Sequence, residues 1–400
     1  DSCTNGDGLL CSVVTDEITT SYTYLKQNLV DAVSKIIDEV TYTTSTDYDW
    51  QGNVTKITHP NASYTEYEYN TRELANDVSL NGTSLVTADY GVHGRPIRID
   101  HANGISSTFT YDSSELYELT DKVTSDGTTD FQNLSYTYDD VGNITQIIDA
   151  SETDTAKTQT FTYDDLYRLA STTVSDSANE ADYSRSYTYS PIGNITLLDE
   201  TAYTYVDSGY SNPHAVTSVG GETYTYDNNG NLTNDRTWAH TWDYRNRLIS
   251  SNDKSSTTSY TYDHNNQRIT LTEGGTTTIY PTSDYEVHDG DIKISMSLAN
   301  ILVATEDDEV ISHVHTDHLG GTNITTDTSA TITQTLDYYP YGDTRIDTGT
   351  DTETKQFTGY IKDTSTDLSY AGQRYYAGNI GRFISQDPVG LALGDKDQMK

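Results

Sequence analysis

The chain has 400 residues with 34 Tyr against 5 Phe, and only 34% of it is apolar. Its 61 Asp plus Glu outweigh 23 Lys plus Arg, and the net charge of −38 repels nucleic acid and anionic membranes. This composition argues against a Leu/Phe-packed ball and favours pleated sheet, where Tyr and Thr cover a surface with an apolar body and a polar tip.

The acidity is spread along the chain, as on a solvated face, and no EF-hand spacing concentrates it, so no metal or cofactor is expected. No apolar run is long enough to span a bilayer, and no signal-peptide apolar region opens the sequence. It reads as an exported, extracellular or cell-surface protein without its leader. Cys3 and Cys11 are the only cysteines, with no His near them, and an oxidising compartment would join them into a small N-terminal loop.

Between Asp16 and Val40, the residues Leu25, Leu29, Val30, Val33, Ile36, Ile37 and Val40 fall at helical spacing. The spacing predicts one amphipathic helix near 23–39. Its apolar stripe must be covered by the chain's own sheet or by another subunit.

A repeat begins after Thr41. It reads YDWQGNVTKI from Tyr48, YNTRELANDV from Tyr69 and YGVHGRPIRI from Tyr90, with a degenerate copy at Tyr111. YDDVGNITQI follows from Tyr138, YDDLYRLAST from Tyr163, YSPIGNITLL from Tyr189 and YDNNGNLTND from Tyr226, then WDYRNRLISS from Trp242 and YDHNNQRITL from Tyr262. In each, Tyr-x-Tyr-Asp ends a strand because residues two apart share a face. Asp and Gly-Asn supply a tight turn, and Ile-Thr or Leu-Thr starts the return strand. Each unit is therefore a hairpin, stable only beside its neighbours. The expected fold is all-β: stacked hairpins in a long, curling antiparallel sheet or shell. The boundaries read 1–40 for the N-terminal segment, 41–280 for the repeats, 281–391 for a distinct C-terminal core and 392–400 for a tail.

The repeated Gly-Asn-x-Thr string also creates N-x-Ser/Thr sequons, at Asn53, Asn61, Asn81, Asn133, Asn143, Asn194, Asn231 and Asn323. These are candidate glycosylation sites in an exported protein. Trp50, Trp238 and Trp242, with the tyrosines, are candidate sugar-binding aromatics, although packing within the sheet explains them as well.

Y-D-x-x-G-N-[IL]-T resembles the YD repeat of RHS proteins, teneurins and Tc-toxin cocoon subunits. SNPHAVTSVGGETYTYDNNGNLT (211–233) resembles a stretch upstream of the RHS core. HTDHLGGTNITTD (315–327), LDYYPYGDTR (336–345) and FTGYIKDTSTDLSYAGQRYYAGNIGRFISQDPVG (357–390) resemble the RHS repeat-associated core itself. The resemblance covers roughly residues 41–391 and implies a wall-building β-strip that, in larger relatives, encloses a toxin.

Two pieces of chemistry remain. His313-Val-His315-Thr-Asp317-His318 reads as the H-x-H-x-D-H zinc motif of metallo-β-lactamase-like hydrolases, but no His follows His318 to complete it. The resemblance also implies aspartyl self-cleavage after the core, with Asp387 of DPVGL as the acid/base and Arg382 and Arg374 as basic neighbours. The second D-P-x-G-L expected downstream is replaced by ALGDKDQMK. Two functions follow. The preferred one is a secreted, non-enzymatic, self-associating scaffold or fibre, with cell-surface glycan as a candidate partner; the alternative is a toxin-encapsulating cocoon.

Overall fold

A computed structural model of the chain describes residues 3–15, 18–114, 117–151, 156–175, 182–206 and 212–387. The protein is all-β, and the strand pairings whose register is described are antiparallel. It divides into two compact units that interleave along the sequence. The first comprises Asp1–Gly104, Ser259–Thr335 and Gly349–Glu353; the second comprises Ile105–Thr258, Leu336–Thr348 and Thr354–Lys400.

In the first unit, strands from Ser12–Val14 to Pro96–His101 pair in chain order. A second run pairs likewise, ending at Ile332–Tyr338. Ile18 and Ile37 from the first run meet Ile269 from the second, flanked by Tyr42 and Ile279. His59 stacks on Tyr285 with ring centroids 5.7 Å apart. In the second unit a run of hairpins from Ser106–Asp112 onward is joined by the short sheet of Ile361–Lys362, Leu368–Tyr370, Tyr375–Ala377 and Arg382–Phe383.

The expected helix near 23–39 is absent. Ile18–Tyr24, Val30–Ile37 and Val40–Tyr48 are successive antiparallel strands. Val30, Val33, Ile36 and Ile37 are β-branched, which lowers helix preference and suits a pleated surface. Asp38 and Glu39 both take positive φ (49° and 67°), closing a two-residue hairpin between Ile37 and Val40. Cys3 and Cys11 are disulfide-bonded, with Cα atoms 5.5 Å apart. The loop they close is tied to the adjacent strand, where the Tyr24 hydroxyl donates to Leu10 O at 2.7 Å and Asn5 Nδ2 donates to Tyr24 O at 2.8 Å.

The repeat's side chains have separate tasks. Asp49 is a clasp: Oδ1 accepts from the Gln51 and Asn53 amides at 2.8 and 2.9 Å, and Oδ2 accepts from Asn53 Nδ2 at 2.9 Å. Asp139 with Asn143 and Asp227 with Asn231 repeat this geometry. The Asn53 amide holds the Asp49 carboxyl below its ordinary range. Gly52 takes φ +95°, a conformation that needs no Cβ. In the Asp164 turn, Arg168 replaces Asn and its Nε reaches Asp164 Oδ2 at 2.8 Å.

Tyr48, Tyr69, Tyr90, Tyr138, Tyr163 and Tyr189 of the repeats reach backward. Tyr48 sits opposite Val54 in its own hairpin, and Tyr69 donates its hydroxyl to Val54 O at 2.8 Å. Tyr138 sits opposite Ile144, whose carbonyl accepts from Tyr163 at 2.7 Å. Tyr163 sits opposite Leu169, which accepts from Tyr189, and Tyr189 sits opposite Ile195, which accepts from Tyr205, both at 2.7 Å. Trp242 substitutes its indole N–H, donating to Leu232 O at 2.6 Å. The ring adds apolar cover while the hydroxyl latches one hairpin to the last. Tyr163→Phe keeps the ring and removes the latch, so it should cost about 1 kcal/mol in urea denaturation. An unchanged midpoint would show that the latch contributes nothing.

Candidate functional site

The C-terminal core places the basic and acidic residues expected for self-cleavage in two different settings. Arg374 leaves the turn before Tyr375–Ala377 and its Nη2 lies 2.9 Å from Asp387 Oδ2. Its guanidinium also lies 3.7 Å above the Phe383 ring, which fixes its plane. The Asp387 side chain is half exposed in this pair, at 50%.

Arg382 faces other partners. Its Nη1 bonds the Tyr205 hydroxyl, its Nη2 donates to Asn194 Oδ1 at 3.1 Å, and its guanidinium lies 5.0 Å above the Tyr205 ring. Asn194 Oδ1 also contacts His214 Nδ1 at 2.7 Å, and Asn194 Nδ2 donates to Pro213 O at 2.7 Å. Arg382 thus fastens the last short strand to Asn194 and Tyr205, and Asn194 in turn holds Pro213 and His214. The sequence carries a signal for this that its motif reading passes over. Ser190 stands where the other Gly-Asn turns have Asp, so the Asn194 side chain is released from the clasp and recruited elsewhere.

The structure sorts the sequons by exposure. Asn194 and Asn231 are 2% and 1% exposed, with their amides hydrogen-bonded, so neither presents a side chain for modification in the folded chain. Asn53, Asn133 and Asn143 are partly buried and donate to Asp49, Asp130 and Asp139. Asn323 is also partly buried, and Asn61 and Asn81 are exposed. The tryptophans divide as well: Trp238 is buried, Trp242 is a latch, and Trp50 stands 90% exposed on a turn.

The H-x-H-x-D-H string is split by the end of a strand. His313 and His315 lie two apart on Val310–Thr316, pointing to one face, and are 1% and 2% exposed. They pack edge-on against His101, with ring centroids 5.3 and 4.5 Å away. His315 Nε2 lies 3.0 Å from Thr326 Oγ1. Asp317 clasps the following turn, accepting from the Leu319 and Gly321 amides at 2.8 Å each. A carboxylate so engaged is a turn element, and the motif gathers no zinc ligand set. Among the described residues no group of three or more His, Cys, Asp or Glu is arranged to hold a metal ion.

These clasped, latched hairpins and the core that follows them match the teneurin YD-shell model over residues 93–393. The chain belongs to the teneurin YD-shell family. Among its relatives is the tRNA3(Ser)-specific nuclease WapA of Bacillus spizizenii, 28% identical over 397 residues, which cover 94% of this chain and 14% of the relative. The double-stranded DNA deaminase toxin A of Burkholderia cenocepacia is 32% identical over 107 residues, covering 24% of this chain and 8% of that protein. A Photorhabdus luminescens Tc holotoxin pore superposes with a TM-score of 0.83 at 20% identity, over 96% of this chain and 22% of that one. This YD-shell chain therefore shares the shell fold of Tc toxin proteins, and it spans a minor part of each relative's length. No helix among the described residues is long and apolar enough to cross a membrane.

Proposed function

We propose that this YD-shell chain is a wall segment of a toxin-carrying cocoon that acts outside the producing cell. The observation that carries this reading is the match to the YD-shell family together with one relative named as a nuclease and one as a deaminase toxin, of which the matched part is only a small share. A wall of latched hairpins would enclose a cargo, and the C-terminal core would close it. The scaffold reading preferred on the sequence, where the second D-P-x-G-L is replaced, ranks below this one, since neither the family match nor these relatives support it. Exposed Asn61 and Asn81 remain proposed glycosylation positions, and self-association and glycan binding remain proposals of the same standing.

Self-cleavage is part of the proposal. Asp387, paired with Arg374, would serve as the base, while Arg382 would position the core without touching the scissile bond. Expression of the full-length protein with a folded reporter after Lys400, followed by limited proteolysis, tests both halves. A cocoon protects the reporter at protease levels that destroy the free reporter, and Asp387→Asn yields one uncut band. A reporter degraded as fast as the free one would overturn the enclosure, and cleavage unchanged in Asp387→Asn would overturn the role of Asp387.

A further inference from the structure

The second unit contains a cavity of about 50 Å³ that neither the cleavage chemistry nor the latch explains. Tyr187, Tyr203, Tyr339 and Tyr341 form its walls with Arg185 and Asp343. Its floor is the turn at residues 378–381, which approaches closely because two glycines carry no side chain. A Cβ on Gly378 would lie 2.6 Å from Gly342 O, and one on Gly381 would lie 3.2 Å from Tyr341 Cβ. Gly381 also takes φ +65°. The pocket is therefore built by the backbone as well as by side chains.

Its polar groups are left in an unusual state. Tyr187 and Tyr203 are 6% and 5% exposed as residues and line the cavity, but neither hydroxyl is among the fully buried polar atoms left without a partner. Asp343 is partly buried and makes no ion pair among the described residues, although two cations lie close enough to influence it. Both are engaged elsewhere. Arg185 Nη1 lies 3.1 Å from Asp199 Oδ2, with its guanidinium 4.3 Å above the Tyr339 ring. Lys362 Nζ lies 2.6 Å from Asp367 Oδ1. Burial and the charge of Asp367 raise the Asp343 carboxyl above its ordinary range, as expected of a desolvated group lacking a counter-ion.

We propose that this pocket binds a primary alkylammonium group, with Asp343 as the counter-ion, the tyrosine faces as a cation-attracting wall and the Tyr187 and Tyr203 hydroxyls as acceptors. Three observations set the ligand class. An anion would face the Asp343 carboxylate, since the two nearby cations, Arg185 and Lys362, are each paired with another acid. The cavity is well below the roughly 150 Å³ that holds a benzene ring, which excludes sugars and aromatic heads. An ammonium answers the unpaired carboxylate and gains from the ring faces. The group can come from a lysine side chain of a polypeptide or from a free amine, and a chain of charge −38 favours cations of either origin. The inference stands independently of the cocoon reading.

Saturation-transfer NMR on the purified full chain tests it with three probes: n-butylammonium, Nα-acetyl-lysine N-methylamide and butyrate. The expected result is binding of both amines, no binding of butyrate, and an affinity at least about tenfold weaker in Asp343→Asn. Removing an unpaired buried carboxylate should leave the fold intact. If that variant nonetheless fails to fold, Tyr203→Phe must weaken amine binding by at least about threefold. Binding of the lysine derivative alone assigns the site to polypeptide lysines, and binding of butylammonium alone assigns it to free amines. Equal amine binding by wild type and Asp343→Asn, or equal binding of butyrate, overturns the proposal.

Discussion

Lowering the pH from 6.5 to 4 should cost the folded chain about 3 kcal/mol through His313 alone. Burial depresses the imidazole from its ordinary value to about 4. In the unfolded chain the same ring takes its proton near pH 6.5, so protons favour the unfolded state throughout that window. Above pH 6.5 both states are neutral and the effect vanishes. His101 packs on both the His313 and His315 rings, and His59, depressed by burial against the pull of Asp284, adds to the loss with the same sign. Glu306 and Asp307 oppose it, since burial raises both above the ordinary carboxylate range and protonation then favours the fold. The comparison that isolates His313 is therefore with His313→Phe, which keeps an aromatic ring beside His101. Urea midpoints at pH 7, 5.5 and 4.5 should fall more steeply for wild type than for the variant. Parallel curves would show that His313 is protonated in the fold.

Removing the charge of Lys293 should be more damaging still, at about 3–5 kcal/mol. Lys293 Nζ lies 3.1 Å from Glu353 Oε2, with the two side chains 9% and 1% exposed. Across the strands it also faces Glu286 and Asp307. Burial alone would lower the amine's affinity for its proton, but these carboxylates raise it. Lys293→Met would remove the counter-charge of the buried Glu353 carboxylate. The Glu353 amide donates to Gln334 Oε1 at 3.1 Å, so the loop carrying it should loosen from the strand Ile332–Tyr338 as well. Adding Glu353→Leu should recover much of the loss, since an apolar pair of similar volume is tolerated where a lone buried charge is not. A double mutant as unstable as the sum of the singles would show that the two charges do not interact.

The repeat was legible because its chemistry is local. Asp, Gly and Asn within one turn act on each other, and the Tyr-x-Tyr alternation needs only the pleat. The Tyr hydroxyl latch was not legible, since its acceptor lies one hairpin earlier and becomes an acceptor only when the sheet has formed. Residues 23–39 misled for a related reason. Val and Ile at helical spacing also fit strands when a turn resets the phase, and nothing local marks Asp38-Glu39 as that turn without a glycine. At the candidate site, Arg374 and Asp387 do meet, but Arg382 and Asn194 meet across the chain for a reason visible only in the exception of Ser190. The ammonium pocket joins tyrosines from separate repeats, so no motif announces it.

The backward latch also sets how such a strip yields to force. Each carbonyl is gripped by the following hairpin, so load applied at the C-terminal end falls on one Tyr at a time. Release of that contact exposes the next, while earlier hairpins stay intact. Extension should then proceed as a row of small, similar rupture events in place of a single large one. A wall held this way can be drawn out from one end at low tension and can close again in the order in which it opened.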